Sequence, residues 1–307
     1  MKRDIRFLVT NCCNYGCYFC HHEGVSRGLF RHDLTVENYV LLYNIYKKLE
    51  DWDGVTLSGG EPLMFHGIDA LVEKLHAEGA EITIVTNGSL LGEHLLTLRF
   101  VKRINVSIHT MDEKIYEMIT NRKRIFRTVL DNLKMVRGLY PNIEIRLNVT
   151  PCKSNGWDIE QLKSLIRFAK EIGATIKCTE LFPNTDKDNC ISIAELENQL
   201  ASLGYSQTPN DDRTMMYKNA EGHSVFLTQC TCSKAVTTDS PIAYCRQTHD
   251  LYINHDGTIP LCRLGKEQID LWEEIEDNEV ELISKKMEIA MRKVSRQKCN
   301  RYLKGIY

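Results

Sequence analysis

The sequence has neither a long apolar run nor an excess of one charge. None of its 307 residues lies in an uninterrupted apolar stretch of about 20, the length that a transmembrane helix needs. The start of the chain, residues 1–6, lacks the apolar segment of an export signal. The net charge is −2, which gives no reason to expect a nucleic-acid polymer as a partner. We therefore expect a soluble, cytoplasmic protein that acts without a membrane.

Cysteine is abundant, with 12 residues in a chain that carries no export signal. In that context, metal or redox chemistry explains the cysteines better than a disulfide framework does. Cys13, Cys17 and Cys20 form a C-x3-C-x2-C triplet directly after the strand-like run Ile5 to Val9. Three thiolates can hold three irons of a [4Fe-4S] cluster and leave the fourth open. Zinc normally needs four ligands, and no second cysteine pair follows closely, so the triplet favours a cluster.

The apolar pattern predicts an α/β protein with a parallel sheet. Strand-like runs begin near Ile5, Val55, Ile82, Ile104, Ile143 and Thr175. Helical stretches separate most of them, including Thr35 to Leu49, Gly67 to Glu78, Ile125 to Arg137 and Trp157 to Ile172. Repeated βα units imply parallel strands with right-handed crossovers. Six units are too few for a closed eight-stranded barrel.

Two further motifs each follow a predicted strand. Gly59, Gly60 and Glu61 lie in Ser-Gly-Gly-Glu-Pro after one strand, and Thr86 and Asn87 end the next. Together with the cysteine triplet, these motifs resemble the radical S-adenosylmethionine (SAM) superfamily. The resemblance implies a partial (β/α)6 TIM barrel whose triplet binds the cluster and whose Gly-Gly-Glu-Pro turn holds the methionine moiety of SAM. Glycines suit that role because a backbone without Cβ can approach a ligand closely.

The resemblance also implies the reaction and further cofactor contacts. One electron, from a flavodoxin- or ferredoxin-type donor, cleaves SAM, and the resulting 5′-deoxyadenosyl radical abstracts hydrogen from a substrate. Phe19, Thr86, Asn87, Ser107 and Asn148 occupy positions similar to those that contact SAM. Phe19 is equally well explained as a core residue, and each polar residue alone is only a polar group at a strand end. No residue is indicated as the catalytic group.

A second set of cysteines lies in the last third of the chain. Cys245 and Cys262 frame Leu251 to Pro260, which predicts a hairpin with Asp256-Gly257 at its turn. The spacing C-x11-G-x4-C resembles the start of SPASM and twitch regions, which hold auxiliary clusters. The predicted ligands of a second [4Fe-4S] cluster are Cys230, Cys232, Cys245 and Cys262, with Cys299 in reserve. We expect a radical SAM core over residues 1–205 and an auxiliary-cluster, substrate-covering region over 206–307; incidental structural cysteines are the alternative.

Within the superfamily, the chain looks most like the GTP 3′,8-cyclases of molybdopterin biosynthesis, particularly the archaeal form. Shared segments include residues 20–24, 106–112, 119–122, 148–153, 177–183 and 256–262. The middle cysteine of the cyclases' auxiliary cluster is Thr248 here, and their two following arginines correspond to Asp250 and Tyr252. Lys153 and Lys177 do fall where the family carries basic residues, as weak candidates for binding substrate; solvated lysines at strand ends are as good an explanation.

The departures from the cyclases decide the order of the hypotheses. The first is a radical SAM enzyme that abstracts hydrogen from a small molecule other than GTP, such as a nucleoside, sugar or amino-acid derivative. A ribosomal-peptide maturase and a GTP cyclase are the alternatives within the superfamily. A non-catalytic iron-sulfur redox sensor is the alternative outside it.

Overall fold

The computed structural model describes residues 4–20, 33–181, 187–210, 214–230, 250–262 and 267–292. The strands are β1 Ile5–Leu8, β2 Gly54–Ser58, β3 Glu81–Thr86, β4 Arg103–Ser107, β5 Glu144–Val149, β6 Thr175–Thr179, β7 Ser206–Thr208, β8 Thr214–Lys218, β9 Ser224–Thr228, β10 Leu251–Asn254, β11 Thr258–Pro260 and β12 Gln268–Asp270. The helices are α1 Val36–Glu50, α2 Ile68–Ala77, α3 Leu95–Leu98, α4 Glu113–Thr120, α5 Phe126–Leu139, α6 Ile159–Glu171, α7 Ile193–Ser202, α8 Trp272–Glu276 and α9 Val280–Arg292.

The main sheet has ten strands in the order β10-β1-β2-β3-β4-β5-β6-β9-β8-β7. Strands β1 to β6 lie side by side in chain order and pair in parallel, so the six predicted βα units are confirmed. Two later strands extend this parallel array, β9 beside β6 and β10 beside β1. Strands β8 and β7 continue beyond β9 in antiparallel pairing. The predicted α/β class is therefore confirmed, while the division at residue 205 stays a prediction.

The hairpin predicted for residues 251–260 was wrong. Its Asp-Gly turn exists, with Gly257 at φ +80°, but the strands on either side belong to two different sheets. β10 pairs in parallel with β1, while β11 pairs in antiparallel with β12. All four residues of β10 are buried, as expected of a strand that completes a covered parallel sheet rather than a solvated hairpin. Local periodicity could not reveal that its partner lies at the other end of the chain.

Alternation along the strands separates an apolar face from a polar one. On β5, Ile145, Leu147 and Val149 enter the main hydrophobic core together with apolar residues of α5 and α6. Arg146 and Asn148, at the alternate positions, therefore lie on the opposite face of the sheet, which we call the inner face. Since the helices cover the apolar face of the sheet, a ligand would be bound at the inner face.

No helix in the described part of the chain is long and apolar enough to cross a membrane.

Candidate active site

The cysteine triplet lies on a segment, residues 9–20, that we call the cluster loop. Its start continues from β1, where the Val9 amide donates to the Ser58 carbonyl over 3.0 Å. Its second half is fixed to the end of α4, since the Gly16 amide donates to the Thr120 carbonyl at 2.9 Å and the Tyr18 amide to that of Ile119 at 3.2 Å. Backbone hydrogen bonds thus hold both halves of the loop at the carboxyl end of the parallel strands, where barrel folds place their active sites.

The three thiols of the cluster loop influence one another. Cys13 and Cys20 are exposed and Cys17 is half-buried. Burial, and then the charges of Cys20 and Cys13, raise the pKa of Cys17 to about 12. Three thiolates at this place therefore need a bound cation, and cluster iron fits that requirement. No three potential ligands among the described residues stand in the geometry of a metal site, so the ligand set stays a prediction.

The Gly-Gly-Glu-Pro turn packs directly on the cluster loop. The Gly60 amide donates to the Thr10 carbonyl at 2.7 Å, and the Glu61 amide donates to that of Cys12 at 2.8 Å. A Cβ added to Gly60 would lie 2.1 Å from the Cys12 carbonyl oxygen, and one added to Gly59, which has φ +134°, would lie 2.4 Å from that of Thr10. The two glycines are thus required by the contact between turn and loop, whatever ligand they also approach.

The buried carboxylate of Glu61 connects this turn to the end of β3 by hydrogen bonds. Its Oε1 accepts from the Thr86 hydroxyl at 2.6 Å and from the Leu63 amide at 3.2 Å, and its Oε2 accepts from the Asn87 amide at 2.7 Å. Burial raises the pKa of Glu61 to about 7, although these hydrogen bonds act in the opposite direction. Glu61 and Thr86 therefore bind each other in this structure, and their predicted contact with SAM remains a prediction.

We expect the stability contributed by Glu61 to fall as the pH rises. Since its pKa is higher in the folded state than the ordinary 4.5, the folded protein holds this proton more firmly, and the loss occurs between about pH 4.5 and 7. The test compares the free energies of unfolding of the wild type and Glu61→Gln, measured in denaturant at pH 5 and at pH 8. The difference in favour of the wild type should be smaller at pH 8 than at pH 5, by on the order of 3 kcal/mol. Glu73→Gln, at an exposed position, is the control and should show no such change. If the difference in free energy of unfolding between the wild type and Glu61→Gln is equal at both pH values, the prediction is wrong.

Asn14 joins the cluster loop to the end of β3, a role that the sequence did not reveal. Its Oδ1 accepts from Asn87 Nδ2 at 2.7 Å, and its Nδ2 donates to the Ser89 hydroxyl at 2.9 Å. Asn87 also donates its amide to Glu61 and its side chain interacts with the Cys13 thiol. One continuous network therefore links the first cysteine, the β3 end and the glycine turn. No local pattern marks Asn14, because its partners lie more than 70 residues away.

The opposite wall of the site is built from the ends of β4 and β5. Ser107 and Asn148 are direct neighbours in the strand register, and their contact with SAM stays a prediction. The ring of Phe19 meets that of His109 edge to face, with centroids 4.8 Å apart. His109 is buried, which lowers its pKa to about 4, and its Nδ1 accepts from the Thr150 amide at 3.1 Å. His109 is therefore neutral with its proton on Nε2, and it orients Phe19 beside these strand ends.

The inner face carries a half-buried cation that sequence reasoning missed. The guanidinium of Arg146 lies over the Phe226 ring, 4.8 Å from its centroid, and burial lowers the pKa of Arg146 to about 10. Arg146 Nε and the amide oxygens of Asn105 and Asn148 are buried without a hydrogen-bond partner among the described residues. Strict alternation along β5 could have placed Arg146 here. Arg146 can donate to an anionic group of a ligand, and the two amide oxygens can accept from N–H or O–H donors of a ligand.

The weaker predicted residues are only partly brought into this site. Lys177 lies on the inner face beside Asn148 in the register of β5 and β6, whereas Lys153 is exposed on the turn after β5. Cys230 is half-buried, with its amide donating to Glu180 Oε2 at 3.0 Å, and Cys262 is half-buried after β11. Cys232, Cys245 and Cys299 lie outside the described residues. The geometry of the second cluster thus stays a prediction.

Comparison with known proteins places this site among iron-sulfur enzymes. The family model described as the Radical SAM superfamily matches residues 7–171. A probable GTP 3′,8-cyclase of Pyrobaculum aerophilum is 31% identical over 291 residues, which covers 91% of this chain and 89% of that protein. The GTP 3′,8-cyclase of Peptoclostridium acidaminophilum is 26% identical, covering 87% and 82%. Streptococcus suis SuiB bound to S-adenosylmethionine has a TM-score of 0.66 at 15% identity; the match covers 88% of this chain and 63% of SuiB, and supports the fold alone.

Proposed function

Since the chain belongs to the radical SAM superfamily and is similar to its GTP 3′,8-cyclases, we propose that it abstracts hydrogen from a guanosine nucleotide or nucleoside and closes a ring in it. The chain is an enzyme, which sets aside the redox-sensor hypothesis, and its cofactors are a [4Fe-4S] cluster and SAM. The relatives' names favour cyclisation over the other small-molecule reactions that the sequence hypothesis ranked first. The peptide-maturase alternative has no comparable support. The similarity to solved structures such as SuiB, at 15% identity, supports the fold and not a substrate.

The observation that supports this substrate class is the polar lining of the inner face. Arg146 supplies a half-buried positive charge, and the amide oxygens of Asn105 and Asn148 supply acceptors that have no hydrogen-bond partner among the described residues. A guanine base offers N–H donors to such acceptors, and a phosphate offers a partner for the guanidinium. The lining thus suits a nucleotide better than an apolar substrate.

The residues of this chain have positioning roles in the proposed reaction. When bound, the cluster and SAM would supply the radical chemistry: one electron to remove a hydrogen atom from the substrate, and a second electron with a proton to quench the radical left after ring closure. Cys13, Cys17 and Cys20 would hold the cluster. Glu61 and Asn14 fix the turn and the loop against each other, so that SAM and the cluster keep one relative position.

We further propose that the electron comes from a small acidic carrier of the flavodoxin or ferredoxin type. Arg122, Lys123 and Arg124 are exposed just after α4, and Arg122 Nε donates to the Asn14 carbonyl of the cluster loop. A basic rim beside the cluster loop would attract an acidic carrier and shorten the path of the electron.

The test is a reaction of anaerobically reconstituted protein with SAM, dithionite and GTP. We expect formation of 5′-deoxyadenosine that depends on the guanosine compound, and a product with a new bond between C3′ and C8, identified by NMR. A parallel reaction replaces dithionite with reduced flavodoxin, and added salt should slow only that one. If GTP, GMP and guanosine all leave 5′-deoxyadenosine formation at its background rate, the proposed function is wrong.

A further inference from the structure

The inner face has a second charged place, beside β1 and β10, which we call the β1–β10 subsite. It consists of Arg6, Leu8, Asp250 and Tyr252. Ile5 and Phe7 face the helices in the main core, so Arg6 and Leu8 point to the inner face. Leu8 and Tyr252 pack together there as a small apolar cluster separate from the main core. Arg6 is the register partner of Tyr252 in the parallel pair.

The charge of Arg6 is already compensated within the protein. Its Nη2 donates to Asp250 Oδ2 at 3.3 Å, and its guanidinium lies 5.3 Å from the centroid of the Tyr252 ring. The side chains of Arg6 and Asp250 are 20% and 28% exposed, so a bound solute can reach both. An anion that approached Arg6 would be repelled by the Asp250 carboxylate. It would have to displace that carboxylate from the guanidinium.

Asp250 and Tyr252 of this subsite are also positions at which this chain differs from the cyclases it resembles. Where that resemblance implies two arginines, this chain has Asp250 and Tyr252. The structure shows that the exchange does more than remove two positive charges, because the new carboxylate also neutralises Arg6. The Tyr252 ring lies beside the guanidinium and packs on the buried Leu8. Among the described residues of this subsite, Arg6 and Asp250 together give a chain of three phosphates no net positive charge.

From this geometry we infer that the β1–β10 subsite selects against polyphosphate, and that the substrate is a nucleoside or nucleoside monophosphate. This inference rests on the proposed function for the identity of the base. Arg146 and Lys177, elsewhere on the inner face, can bind a single phosphate or a polar sugar group. Asp250 is the residue that determines the specificity.

The experiment measures binding and turnover for guanosine, GMP and GTP with the reconstituted holoprotein. Equilibrium dialysis of the wild type should show tighter binding of guanosine or GMP than of GTP. Asp250→Asn keeps an oxygen acceptor for Arg6 but removes the negative charge, and should shift the preference toward GTP by about tenfold, or about 1.4 kcal/mol. Glu221→Gln, which removes the carboxylate of the exposed Lys170–Glu221 pair, should leave the preference unchanged.

The possible results separate the two proposals. If wild-type protein binds GTP more tightly than guanosine and GMP, the inference is overturned, even if Asp250→Asn does not fold. If the preference is the same in wild type and Asp250→Asn, Asp250 has only a structural role and the inference is overturned as well. If guanosine or GMP stimulates 5′-deoxyadenosine formation and GTP does not, both proposals are supported. If none of the three binds or stimulates it, the proposed function fails and the inference with it.

Discussion

Replacing Cys13, Cys17 and Cys20 together with alanine should abolish SAM cleavage and remove one cluster. No thiolate would then remain on the cluster loop to hold the three irons. If the C-terminal cysteines hold a second cluster, about four of about eight irons per chain should remain. Iron and sulfide analysis of the reconstituted protein, with chromatographic measurement of 5′-deoxyadenosine, checks both expectations.

Cys12 provides the matched control for this experiment. It lies next to Cys13 and is exposed, and its backbone amide and carbonyl help to fix the loop, whereas its thiol donates to the adjacent Asn11 Oδ1 at 3.6 Å. Cys12→Ala should therefore keep both its iron content and its activity. Activity that survives in the triple variant, or disappears in Cys12→Ala, would show that the ligand assignment is wrong. Loss of all iron from the triple variant would refute the second cluster.

Gly60→Ala should be the most damaging single substitution at the site. The added methyl group would lie 2.1 Å from the Cys12 carbonyl oxygen and 3.0 Å from that of Asn11. Both obstacles are backbone atoms, which cannot rotate away as a side chain can. The turn and the cluster loop would have to separate, breaking the bonds from Gly60 to Thr10 and from Glu61 to Cys12. We expect a loss of about 3 kcal/mol in the free energy of unfolding and loss of SAM cleavage.

Denaturant unfolding and the 5′-deoxyadenosine assay measure the two effects of Gly60→Ala. Gly138→Ala is the matched control, since Gly138 lies within α5 and an added Cβ there meets nothing within 4 Å. That substitution should be neutral or stabilising by about 0.5–1 kcal/mol, because alanine favours a helix. A Gly60→Ala protein with wild-type stability and activity would show that the turn does not pack on the loop as described.

The sequence predicted what depends on short-range pattern. Six strand-like runs with intervening helices were enough for the parallel sheet, and the helix starts are marked by caps such as Thr35 and Asp158, whose side chains accept amide hydrogens. The neighbours of β1 and β6 at the two sheet edges were not predicted. β10 and β9 come from distant segments, and nothing in a local period says which edge a later strand will join.

At the site, the motifs predicted the positions but not the contacts. Glycine spacing indicated a close backbone approach, yet the atoms approached are those of Thr10 and Cys12 as well as any ligand. Glu61 was predicted as a cofactor residue, and the structure adds that three hydrogen bonds from the protein already reach its carboxylate. The pair of Arg6 and Asp250 joins residues 244 positions apart, a contact that only the folded sheet reveals.

The pairing of β10 with β1 also sets an order of events during synthesis. The cluster loop obtains its backbone partners from residues 58–61 and 119–120, so its framework is complete when less than half of the chain has been made. The other edge of β1 has to wait for Leu251, about 250 residues after Ile5. Until then β1 is an open strand edge, which is prone to pairing with other chains. This long-range closure raises the contact order and makes the final step of folding slow.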